Sequence, residues 1–224
     1  MPRALTILLC LLTLAAAAQT PGTARQVMAL SRHRVVAAKF VQTRHLAELD
    51  MNVESRGSMV SELDGRLRWQ VDEPVRSVTL IDREKLTHFD AETGKVAIIS
   101  QNDFPWLKLL RESLDEWLSG DPKRLAGRFE VTSPRPDVLH LVPRDETLKK
   151  FCASVDITLD GRGDAIRSIR IAEQGGDTLE IRFSEVVNDP KLPPDFWRKQ
   201  GSKVCHSENR SKFLLTTILM ITLE

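Results

Sequence analysis

Apolar and polar residues alternate in short segments along most of this chain. FVQTRHLAEL (from Phe40), NVESRGSMVSEL and RLRWQV come first, and VRSVTLID, KLTHFD and KVAIISQ follow at the same short spacing. After an interruption the texture returns in RFEVTS, DVLHLVPR, SVDITLD, AIRSIRIAE and TLEIRFSEV. In SVDITLD, Val155, Ile157 and Leu159 alternate with polar residues, and in TLEIRFSEV, Leu179, Ile181 and Phe183 alternate with Glu180, Arg182 and Ser184. A period of two puts one face of a strand in the dry interior and the other in water, the habit of antiparallel sheets. The breaks fit turns: Asp82-Arg83-Glu84, Glu92-Thr93-Gly94, Asp160 to Asp164 and Gly175-Gly176-Asp177.

Two segments have the period of a helix. Residues 23–39 place Val27, Leu30, Ala37 and Ala38 roughly on one face, with Thr23 as a possible N-cap. Residues 106–118 are the sharper case. Trp106, Leu107, Leu110, Leu114, Trp117 and Leu118 recur at spacings of three and four, with Pro105 before them and Gly120 after. The expected class is mainly β (α+β): about ten strands forming an incomplete antiparallel barrel or large curved sheet, with helices over it. An unclosed sheet leaves an apolar concave face. A helical lid over that face encloses either a packed core or, where packing is incomplete, a cavity for acyl chains. No βαβ repeat supports a parallel fold.

The ends of the chain depart from this texture. Residues 1–18 carry Arg3, an apolar run and Ala16-Ala17-Ala18 before Gln19, the plan of a cleaved secretory signal peptide. The run is short of the ~20 apolar residues of a spanning helix. Residues 19–197 form the expected domain. Residues 198–224 are a basic and then apolar tail, ending in the 11-residue run FLLTTILMITL. The formal net charge of +1 conceals this division: the body from 19 to 197 sums to −3 and the tail to +3. Near-neutrality argues against a nucleic-acid partner. Cys152 and Cys205 remain after cleavage, and an exported protein permits a bridge between them without requiring one.

No catalytic pattern emerges. The chain lacks a GxSxG elbow, HExxH, a CxxC pair and a P-loop. His33, His45, His88, His140 and His206 are scattered, with no metal-ligand spacing. Arg162-Gly163-Asp164 reads as a hairpin turn, and Asn209-Arg210-Ser211 matches a glycosylation sequon of a kind frequent by chance. The reading is therefore a protein that is not an enzyme and needs no cofactor or metal.

The order of residues is familiar at this point. After an N-terminal helix come Phe40-Val41-Gln42-Thr43, a strand with Gly57, Arg66-Leu67-Arg68-Trp69, Pro74, and then VTLIDREKLTHFD with Asp82, Phe89 and Asp90. The segment ITLDGRGDAIRSIRIAEQGGDTLEIRFSEVVND, with Phe183 and Asn188, is similar to closing hairpins of the same kind. Over about residues 24–197 this resembles the LolA family of periplasmic carriers of outer-membrane lipoproteins. FVQTRHLAEL looks closer still to a divergent branch found with aryl-polyene-type lipid clusters. The resemblance implies an incomplete barrel with a helical lid over a hydrophobic cavity. It also implies a cargo of lipoprotein or lipid acyl chains, an inner-membrane transporter and an outer-membrane acceptor. One departure stands out: Leu63 and Asp64 occupy the positions where the family has an Arg-Pro pair whose Arg helps hold the lid closed.

Alternation and helical phase then give an expected cavity lining. The sheet contributes Met59, Leu67, Trp69, Leu80, Phe89 and Ile98. The lid contributes Trp106, Leu107, Leu110, Leu114, Trp117 and Leu118. The leading reading is a monomeric periplasmic carrier shuttling lipid-modified cargo from the inner to the outer membrane. The alternative is a periplasmic sensor or scaffold of the same fold that binds a protein partner and carries no lipid. A lipid-acting hydrolase is the third possibility, disfavoured by the missing nucleophile motif.

Overall fold

The computed structural model describes residues 33–100, 121–150, 152–161 and 165–197. The expected lid helix at 106–118, residues 23–32 of the first expected helix, Arg162-Gly163-Asp164, the signal peptide, the tail after Trp197 and Cys205 lie outside the described residues.

Among the described residues eleven strands make one antiparallel sheet. They are β1 (Val35–Leu46), β2 (Met51–Glu62), β3 (Leu67–Glu73), β4 (Ser77–Ile81), β5 (Lys85–Asp90) and β6 (Val96–Ser100), then β7 (Phe129–Arg135), β8 (Val138–Pro143), β9 (Ser154–Leu159), β10 (Ile166–Ala172) and β11 (Thr178–Asn188). The spatial order is β6-β5-β4-β3-β2-β1-β11-β10-β9-β8-β7. The sheet is thus two meanders sharing β1, which pairs with its sequence neighbour β2 and with the last strand β11. Among the described residues β6 and β7 do not pair with each other, so the sheet stays open.

The first helix expectation needs correction. Val35–Lys39 is not helical but opens β1. From Ala38 onward β1 alternates strictly, with Ala38, Phe40, Gln42 and Arg44 buried. Two adjacent β-branched valines favour extended backbone, and ladders on both sides outweigh a weak helical phase. The start of β1 is tied to the end of β11 by Asp189. Its carboxylate accepts the Arg34 and Val35 backbone N–H groups at 2.9 and 3.1 Å and lies 3.0 Å from His33 Nδ1. The hydrogen bond with His33, with the backbone donors, holds the Asp189 carboxyl below its ordinary range.

Most buried side chains project from one face, called inner below. On the C-terminal meander they form a continuous core: Leu139, Leu141, Val155, Ile157 and Leu159, closed by Leu125 and Phe129. Leu125 belongs to α1 (Pro122–Arg128), whose N-cap Asp121 accepts the Lys123 N–H at 2.9 Å. Proline at the first position and Arg128 in the last turn suit the helix ends. A second short helix, α2 (Glu146–Lys149), adds Leu148 to the edge of this core. Each such buried side chain contributes about 1.5–3 kcal/mol relative to exposure.

The hairpin turns are made by the residues their chemistry favours. Asp82 accepts from the N–H groups of Glu84 and Lys85, and Asp90 from those of Glu92 and Thr93. Gly176, in the β10–β11 turn, has φ +93°, a conformation other residues rarely adopt. The family-like Asp82 and Asp90 are therefore turn formers.

Candidate functional site

The inner face of the N-terminal meander is a grid set by register. One row runs Val36, Ser61, Leu67, Ile81, Leu86 and Ile99 across six strands. The next runs Ala38, Met59, Trp69, Thr79, His88 and Ala97. A third begins with Phe40, Gly57 and Val71. Directly opposed side chains of an antiparallel ladder share a face, so these rows form one surface.

At its centre three motif residues meet. The Phe40 and Trp69 rings stack with centroids 3.9 Å apart and planes 22° from parallel. Gly57 makes room for them. A Cβ there would lie 1.9 Å from the Gln70 carbonyl oxygen and 2.9 Å from Phe40 Cζ, so no side chain fits. A β-bulge between Arg56 and Gly57 marks the same close approach.

The grid also holds polar groups. Thr79 Oγ1 and His88 Nδ1 are 2.9 Å apart, and both residues are buried. Burial pushes the His88 pKa down to about 4, against a smaller upward pull from Asp90. The imidazole is thus neutral in the folded protein at physiological pH. The unfolded chain protonates this histidine below about 6.5, so the folded state loses stability as pH falls from about 6.5 to 4. His88→Gln is expected to remove about 3 kcal/mol of that pH-dependent loss, read as the difference between wild-type and variant urea-unfolding free energies across this range. An unchanged pH slope would contradict the assignment.

The expected sheet lining divides between the two faces. Met59, Leu67 and Trp69 lie together on the inner face. Leu80, Phe89 and Ile98 fall on the other parity, in rows with Arg68, Val78 and Thr87, and Ile98 is 45% exposed. They therefore do not share a surface with the first three. In their place the register presents Ile81, Leu86 and Ile99, each buried. Leu80-Ile81 and Ile98-Ile99 are adjacent apolar pairs, so alternation leaves the inward member of each undetermined. Trp106, Leu107, Leu110, Leu114, Trp117 and Leu118 lie outside the described residues.

The outer face has a different character. Glu180, Arg170, Asp156, His140 and Thr132 follow one another across it, and His140 Nδ1 lies 2.7 Å from Asp156 Oδ1 in a half-exposed pair. At the β2–β3 end, Phe196 and Trp197 pack against this face. Arg68 donates to the Phe196 carbonyl at 3.4 Å, Arg66 sits 5.0 Å over the Trp197 ring, and the Trp197 indole donates to Glu62 at 3.2 Å. Leu63 and Asp64 form the adjoining turn, beside a cavity of about 510 Å³ lined by Arg34, Val35, Glu62, Leu63, Asp64 and Arg66. Arg66 is bound to Glu62 and Asp64. Among the described residues no cluster of His, Cys, Asp and Glu has the arrangement of a metal site. Cys152 is a half-buried free thiol whose pKa burial raises to about 11, an unreactive state.

An open antiparallel sheet with one dry, largely apolar face defines a mainly β shell. The family model described as outer membrane lipoprotein carrier protein LolA matches residues 31–199, and the chain belongs to this family. Its similarity to individual relatives is low. The outer-membrane lipoprotein carrier protein of Pseudomonas fluorescens is 22% identical over 186 residues, covering 83% of this chain and 86% of the relative. That of Legionella pneumophila (strain Paris) is 22% identical over 150 residues, covering 66% and 71%. That of Coxiella burnetii is 28% identical over 129 residues, covering 56% and 59%. Among solved structures, an uncharacterized conserved protein from Thermus thermophilus matches with a TM-score of 0.47 at 11% identity, covering 80% of this chain and 92% of that one. A LolA superfamily protein from Nitrosomonas europaea matches with a TM-score of 0.41 at 10% identity, covering 79% and 98%.

Proposed function

We propose that this chain is exported to the periplasm through residues 1–18. There it acts as a monomer that carries the acyl chains of a lipoprotein or lipid from an inner-membrane transporter to an outer-membrane acceptor. The observation that carries this reading is the inner-face grid: a largely apolar surface across β1 to β6, interrupted by Ser61 and the Thr79–His88 pair, in a chain of the lipoprotein-carrier family. Such a surface binds hydrocarbon without covalent chemistry. Each buried CH₂ contributes about 0.8 kcal/mol, so an acyl chain brings most of the affinity itself. Met59, Leu67 and Trp69 are the sheet side of this site. Trp106, Leu107, Leu110, Leu114, Trp117 and Leu118 are its lid. Transport requires release as well as capture, which a loosely packed cavity permits.

Mass spectrometry of lipids extracted from the natively purified protein tests this reading, together with titration by a fluorescent fatty acid. Co-purifying lipid and saturable binding are expected. Leu110→Glu or Leu114→Glu should weaken binding at least about tenfold, since burying an unpaired carboxylate against hydrocarbon is costly. Ile98→Glu, on the outer face, should leave it unchanged. A folded wild-type protein with neither lipid nor fatty-acid binding would overturn the carrier reading and favour a partner-binding role.

A further inference from the structure

Trp69 has a feature that its packing role does not explain. The residue is only 7% exposed, and its indole N–H is buried without a hydrogen-bond partner. An indole nitrogen is a donor only, and a buried one normally finds an acceptor. The ring is held in place by its stack on Phe40, which sits in the space left by Gly57. Its row neighbours on the inner face are Met59, which offers a weak sulfur acceptor, and Thr79, which is engaged with His88. The donor therefore stands between the Phe40 ring and Met59 on one side and the Thr79–His88 pair on the other.

On the carrier reading, we infer that the Trp69 N–H is the polar anchor of the site, donating to the carbonyl oxygen of an acyl ester in the cargo. A neutral carbonyl suits the surroundings better than a carboxylate. The row holds Met59, Thr79 and His88, and the buried inner-face guanidinium of Arg44 is already bound by Glu173 and Asp177. A carboxylate would be buried beside the indole with no cation in that row to balance it. An ester brings its acceptor with the chains and no charge. One directional bond in an apolar site fixes the depth at which the glycerol end sits while the chains remain loosely held.

The test compares two probes on the full chain: a fluorophore-labelled dipalmitoyl glycerol ester, and its dihexadecyl ether analogue, whose oxygens are poorer acceptors. Trp69→Phe keeps a ring against Phe40 and removes the donor. Affinity for the ester should fall about five- to tenfold, the loss of one hydrogen bond, while affinity for the ether stays within about twofold. In the wild type, the indole ¹H–¹⁵N resonance assigned to Trp69 should move with the ester and not with the ether. Equal losses with both probes would reduce Trp69 to packing. No loss with either, or an unmoved indole resonance, would mean that the donor serves a bound water or nothing. Those outcomes overturn this inference alone. A wild type that binds neither probe overturns the carrier reading and this inference with it. Should Trp69→Phe fail to fold, the wild-type resonance decides.

Discussion

Replacing Phe40 by alanine is expected to lower the unfolding free energy by about 3–5 kcal/mol, the usual cost of removing a fully buried phenylalanine. Phe40 is 2% exposed, stacks on Trp69 and lies over Gly57 in the central strand that joins the two meanders. Its loss leaves a void beneath an indole that has no other described aromatic partner. Gly57→Ala should cost roughly 3 kcal/mol at the same place, the upper end of the overpacking range. The added methyl meets a backbone carbonyl, which has nowhere to retreat within the β2–β3 ladder. Combining the two changes separates the contacts. Phe40→Ala removes the ring from the path of the new Cβ but leaves the Gln70 carbonyl in place. The double variant should therefore remain at least as unstable as either single one in urea unfolding. A Gly57→Ala protein of wild-type stability would show that the strands part there at little cost.

The second large effect belongs to the opposite end of β1. Arg44 and Glu173 form an ion pair at 3.0 Å with side-chain exposures of only 5% and 10%, and Asp177 adds a contact at 3.4 Å. Asp177 also accepts the Ala47 N–H at 2.8 Å, so the cluster binds the end of β1 to the β10–β11 turn. Arg44→Met should destabilise the protein by about 3–5 kcal/mol at neutral pH, because it strands a buried carboxylate. The pair's intrinsic contribution is smaller than that figure, and Arg44→Met/Glu173→Gln should regain much of the loss.

The direction with pH follows from Glu173. Burial already holds its carboxyl above the ordinary value, against the pull of Arg44, and removing Arg44 raises it further. A carboxyl whose folded pKa is raised takes up its proton more readily folded than unfolded. The deficit of Arg44→Met should therefore shrink as pH falls from 7 toward the ordinary carboxylate range. Equal instability of the single and double variants at pH 7 would place the effect in packing instead of stranded charge.

These two sites show how far sequence carries an account of this fold. Period-two alternation marked the strands, because a half-buried strand must alternate, and Asp82-Arg83-Glu84, Glu92-Thr93-Gly94 and Gly175-Gly176-Asp177 marked turns by local backbone chemistry. The family pattern could be read because Phe40, Gly57 and Trp69 are residue types with few substitutes at a stacked, close-approach position. Gln42 and Arg44 were hidden by the same rule: polar residues at the buried parity of β1 look like the wet face, and the Glu173 and Asp177 that bind Arg44 arrive from a turn more than a hundred residues away.

Tertiary structure decided what local pattern leaves degenerate. Adjacent apolar pairs such as Leu80-Ile81 and Ile98-Ile99 satisfy either parity, and only the hydrogen-bond register inherited from β3 turned Ile81 and Ile99 inward. The helical phase at Val35–Lys39 gave way because β2 and β11 both offer it ladders. Phe196 and Trp197, unremarkable in sequence, became a strap on the outer face through Arg66, Arg68 and Glu62. Sequence alone determined that this chain builds a mainly β shell with the order of residues of a lipoprotein carrier, since alternation and turn chemistry act over a few residues. Which side chains share its inner face was settled by pairing between distant strands, a property that no window of the sequence contains.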